Sequence, residues 1–165
     1  MQLFILFGVF AAFVVLGVYI WFNFQSRKAF FESVVAFCNH LSIEISFSKN
    51  TIGDIINRYG ASYSKQFRRT LDGYSGLLEN KADITNEVVC PLMWNRLKGA
   101  ERANLVNFFC ELGRHGVMQE QEKLETNRMT FQGFLSKATQ TLQAEANVYL
   151  KLCIILGVGA VILLI

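Results

Sequence analysis

The residues of this 165-residue chain best suited to nucleophilic or metal chemistry are four cysteines and two histidines. A Cys–His pair can generate a thiolate nucleophile, and clusters of the two hold zinc. Cys38 and His40 are two apart. On a helix that spacing sets them on different faces, which argues against a shared metal. Cys110 and His115 are five apart and straddle Gly113. A thiol enzyme built on that pair is the one catalytic hypothesis the spacing leaves open. Cys90 precedes Pro91 in an apolar stretch and reads as a small buried hydrophobe. There is no P-loop, GxGxxG, HExxH or CxxC, hence no phosphate cradle and no signature of a dinucleotide or zinc site. The chain is expected to be no enzyme and to use no metal, cofactor or small-molecule substrate.

Charge offers a second kind of chemistry. Arg58, Lys65, Arg68 and Arg69 place four cations within twelve residues, and Asp72 is the only acid within four positions of Arg68 or Arg69. The plain reading is a solvated helix face; the sharper one is a patch for acidic headgroups or an acidic partner. Glu120, Glu122 and Glu125 form an acidic counterpart, read as solvated charge. Fifteen Phe are not interleaved with Arg, and the net charge is only +3, so no nucleic-acid partner is expected.

These groups must be positioned by a chain with two apolar ends. All 29 charged side chains lie between Arg27 and Lys151. Leu3 to Phe22 is a 20-residue apolar run. It would cover about 30 Å as a helix, a bilayer's hydrocarbon thickness. It is too long for a signal-peptide core and shows no cleavage site, so a retained anchor is expected. Leu152 to Ile165 is a 14-residue run. Extended back to Tyr149 it reaches the lower limit of a span, with Lys151 lifting its amine to the interface. Cys153 there is lipid-facing or packed, with palmitoylation open if it lies near the interface. Arg27 and Lys28 follow the first run and Lys151 precedes the second. Basic flanks stay cytoplasmic, so both runs place the middle of the chain in the cytoplasm. The expected organisation is an N-terminal anchor at 1–26, a cytoplasmic domain at 27–151 and a C-terminal transmembrane segment at 152–165.

The middle reads as an all-α helical bundle. Phe30, Val34, Phe37, Leu41 and Ile45 recur at helical spacing. Thr51 and Asp54 form a capping-box pattern for a short helix ending near Gly60. Tyr63, Phe67, Leu71, Tyr74 and Leu78 mark another helix. Asp83 to Leu97 is a further candidate with Val88, Leu92 and Trp94 inward, kinked or started late by Pro91. Lys98 to Ala100 reads as a turn, and Glu101 to Arg114 as a helix closed by Gly113 and Gly116. From Val117 onward two series, Leu124, Phe131, Ala138 and Leu135, Leu142, Tyr149, give a helical seam that runs into the second apolar segment. One helix is therefore expected to pass from the domain into the membrane.

The order of several patterns resembles the stage III sporulation protein AB family. These are Leu41, Glu44 and Ile45 in the first helix; Leu105, Phe108, Phe109, Leu112 and Gly113; the Gln119–Leu124 stretch; and the finish Val161 to Ile165. Gly116 and Lys49 to Thr51 depart from the family's usual residues. The resemblance implies a fold like the cytoplasmic helical domain of type II secretion inner-membrane platform proteins. It also implies a scaffold of the channel complex between mother cell and forespore. The implied partners are a secretion-type ATPase, other membrane proteins of that complex and membrane lipid. A platform of another type II secretion or type IV pilus-like assembly is the alternative. The basic face of Arg58, Lys65, Arg68 and Arg69 is the expected docking surface.

Overall fold

The structure, a computed structural model, describes residues 2–47, 51–114 and 117–164. Among them every regular element is helical: α1 (Gln2–Phe47), α2 (Ile52–Tyr59), α3 (Lys65–Glu79), α4 (Asn86–Val89), α5 (Gly99–Glu111), α6 (Val117–Thr141) and α7 (Asn147–Leu164). A 3₁₀ turn, Gly60–Ser62, follows α2, and another, Cys90–Leu92, follows α4. A π turn, Leu142–Ala146, joins α6 to α7 without a break in the helix. The chain divides into two compact units. One is residues 29–134, and the other pairs residues 1–28 with 135–165.

The 29–134 unit is built on aromatic residues at helical spacing. Phe30, Val34, Phe37 and Leu41 of α1 are fully buried, as are Phe67, Leu71 and Tyr74 of α3, Leu105 and Phe109 of α5, and Phe131 of α6. The Phe37 ring lies within 6.4 Å of Tyr63, Phe67, Phe108 and Phe109. Burying each such ring stabilises by about 1.5–3 kcal/mol, and edge-to-face pairs add about 0.5–1.5 kcal/mol. The Tyr74 hydroxyl donates to the Phe109 carbonyl at 3.1 Å, so its one polar atom is matched inside the core. The expected capping box at α2 is complete. Thr51 Oγ1 accepts from Asp54 N–H, and the Asp54 carboxylate accepts from Thr51 N–H at 3.0 Å.

Three expectations are corrected here. Asp83–Leu97 is not one helix. Pro91 lacks an N–H and sits in a 3₁₀ turn, only Asn86–Val89 is α-helical, and Val89, Met93 and Leu97 are buried rather than Val88. Gly99 and Ala100 are not a turn but the first residues of α5, whose entry is held by Glu101 accepting from Lys98 N–H at 3.0 Å. That helix stops at Glu111, and Gly113 takes the left-handed conformation (φ +79°) that glycine adopts without strain. Gly116 lies outside the described residues.

The second unit is a helical hairpin with small residues at its seam. A Cβ on Gly17 would stand 3.0 Å from Cys153 Cβ and 3.7 Å from Leu150 Cα; one on Gly157 would stand 3.2 Å from both Phe10 Cδ2 and Phe13 Cβ. Phe24 stacks on Tyr149 with ring centroids 6.4 Å apart. These contacts set α1 and α7 antiparallel. Gly159 has open space where Gly157 has a neighbour, so the two glycines face different ways. Large apolar residues point outward: Phe4, Phe7, Leu16, Ile155 and Ile162 are all exposed.

Candidate functional site

The candidate docking residues fall on two helices. Lys65, Arg68 and Arg69 lie at i, i+3 and i+4 of α3, with Asp72 at i+7, and all four are exposed. The opposite side of α3 buries Phe67, Thr70, Leu71 and Tyr74. Thr70 Oγ1 donates to the Leu92 carbonyl at 3.0 Å, and Gly73 leaves room for Leu92. The inner face thus fixes the helix so that the outer face is presented to solvent. Among the described residues no ion pair engages Lys65, Arg68 or Arg69.

Arg58 is different. It belongs to α2, and its Nη1 donates to Glu44 Oε1 of α1 at 2.8 Å. The Tyr59 hydroxyl donates to the same oxygen at 3.1 Å. Glu44 is buried, so this pair ties α2 to α1 and much of the Arg58 charge is balanced internally. Beside it the His40 ring stacks on Tyr59 at 4.0 Å, and its Nδ1 shares a hydrogen bond of 2.7 Å with the Tyr63 hydroxyl. Burial pushes the Tyr63 phenol well above its ordinary range, so the hydroxyl keeps its proton. The partner of His40 is a phenol 23 residues away, a distance at which helical spacing gives no signal. Glu44 had a sequence signal, an acid inside the apolar series between Leu41 and Ile45, but its cation lies fourteen residues on.

Cys38 and Cys110 lack the surroundings of activated nucleophiles. Cys38 is buried, and desolvation pushes its thiol up to about 12. Burial also raises Cys110. Reactive cysteines need the opposite shift. His115 lies outside the described residues. No group of three or more His, Cys, Asp or Glu among the described residues could hold a metal ion. The acids of α6 are distributed, not paired for proton transfer. Glu120 is buried and accepts from Gly113 N–H at 2.9 Å, Glu125 is held by Arg128, and Glu122 is exposed.

One helix among the described residues, Val117–Ile162, is long and apolar enough to cross a membrane, and only 11% of its apolar stretch is buried. A soluble protein's core helix would be mostly buried. This helix and the all-helical fold agree with the outcome of the sequence comparison: a family model described as stage III sporulation protein AB matches residues 2–165. The chain belongs to that family. Membership in the stage III sporulation protein AB family identifies it as a protein of the third stage of sporulation. No curated protein and no solved structure gives a significant match.

Proposed function

We propose that the chain is a non-enzymatic membrane platform of the sporulation channel complex between mother cell and forespore, and that it docks a secretion-type ATPase. The single observation that carries the platform reading is the hairpin with small residues inside and large apolar residues outside. That arrangement suits lipid, where van der Waals packing of small residues holds helices together. In this reading α1 and α7 both span the membrane. The 29–134 unit lies in the cytoplasm of the mother cell, where the basic residues Arg27, Lys28 and Lys151 keep it.

Docking is assigned to the outer face of α3. Lys65, Arg68 and Arg69 offer an acidic partner three exposed cations on a helix whose inner face is locked. Arg58 contributes less, because Glu44 holds it. Rim charges of this kind set association rate and partner choice more than affinity.

Reversing Arg68 and Arg69 to Glu tests the assignment. Capture of the ATPase by the full chain in detergent should slow by about tenfold or more at low salt. The difference should shrink above about 0.15 M salt, where screening acts within roughly 8 Å. The melting temperature should not move. Unchanged capture at low salt contradicts docking through α3.

A further inference from the structure

The hairpin carries a cation that its own helices do not balance. Gly17 stands against Leu150 and Cys153, so Lys151 leaves α7 level with Gly17 of α1. Its exposed neighbours there are mostly apolar, Leu16 and Val18 on α1 and Leu152, Ile154 and Ile155 on α7, with the Tyr19 phenol and, one turn earlier on α7, the Asn147 amide beside them. Lys151 is itself exposed. The acid nearest to Lys151 in sequence is Glu145. Glu145 precedes Lys151 by six positions, neither of the spacings that let helix neighbours pair. No described ion pair engages Lys151.

We propose that Lys151 forms a binding site for anionic phospholipid headgroups. This rests on the membrane reading given above. A lysine rooted among lipid-facing residues extends its stem until the ammonium reaches the headgroup layer. The counter-charge it meets there is lipid phosphate. A zwitterionic headgroup brings its own cation and so neutralises itself; an anionic one leaves a full negative charge for the protein. The ring of Trp21, together with Tyr19 and Tyr149, lies on the stretch of hairpin between Lys151 and Arg27 and marks the interfacial level.

Trp21 is also the reporter. With Trp94→Phe in the full chain, Trp21 is the remaining tryptophan. The protein is reconstituted into mixed phosphatidylcholine and phosphatidylglycerol vesicles, with bromine on the acyl chains of one lipid or the other. Brominated phosphatidylglycerol should quench Trp21 beyond its bulk share, by about fivefold. Lys151→Gln should lower that preference by about fivefold. Lys151→Arg should keep it, which separates charge from any packing change at the site. Equal quenching by the two lipids, or a preference unchanged in Lys151→Gln, overturns the proposal while leaving the membrane reading intact. Absence of quenching by either lipid overturns both.

Discussion

The two units of the molecule are inverted copies of one packing rule. In residues 29–134 the largest side chains are inside: Phe30, Phe31, Phe37, Phe67, Phe109 and Tyr74 are fully buried, while Lys65, Arg68 and Arg69 face out. In the hairpin the smallest are inside. Gly17, Ala146 and Gly157 are buried, while Phe7, Leu16, Ile155 and Ile162 are exposed. A water-facing fold gains by removing large apolar surface from solvent. A lipid-facing one gains nothing that way and holds together by close backbone approach. On the proposed membrane reading the chain is composed for two solvents, and apolar content alone describes neither region.

That contrast is most sharply broken at its aromatic centre. Phe37→Ala removes the ring that touches Tyr63, Phe67, Phe108 and Phe109. It should destabilise the 29–134 unit by about 3–5 kcal/mol. Phe7→Ala, at an outward position of the hairpin, should leave the same unfolding midpoint unchanged. Chemical denaturation of both variants in detergent reads the difference, and equal losses would erase the distinction between the units.

A smaller effect is expected at the hairpin seam. Gly157→Leu inserts a side chain where a Cβ already meets Phe10 and Phe13 at 3.2 Å. Overpacking there should cost about 1–3 kcal/mol. Gly159→Leu, two residues away, has no neighbouring atom within 4 Å and should be tolerated. Thermal unfolding in detergent separates the pair; equal sensitivity would mean that Gly157 is not a packing position. The smallest effect is the stability change on reversing Arg68 and Arg69, expected within about 0.5 kcal/mol because both side chains are exposed.

Much of the helical core was legible in the sequence, because it follows from periodicity. The apolar series of α1, α3 and α5 predicts the aromatic core, and Thr51 with Asp54 predicts a cap that the structure completes. The seam along α6 was half legible. Leu124, Phe131 and Ala138 are buried, but Leu135 and Leu142 are only partly covered and Tyr149 is exposed. The π turn at Leu142–Ala146 accounts for Tyr149: it inserts a wider turn and rotates every later residue away from a strict seven-residue repeat. Asp83–Leu97 misled because its apolar residues have helical spacing while Pro91 confines them to short turns. At the candidate site, helical spacing gave the shared face of Lys65, Arg68 and Arg69. The engagement of Arg58 by Glu44 was hidden, because spacing within one helix says nothing about a partner on another.

The central claim is that the outside of the hairpin faces lipid and the outside of α3 faces water. Nitroxide spin labels at Phe7, Ile155, Arg68 and Asp72 of the full chain in lipid bilayers test it directly. Collision with dissolved oxygen should exceed collision with a water-soluble nickel chelate at Phe7 and Ile155, and the order should reverse at Arg68 and Asp72. Nickel accessibility at Ile155 equal to that at Arg68 would contradict the account.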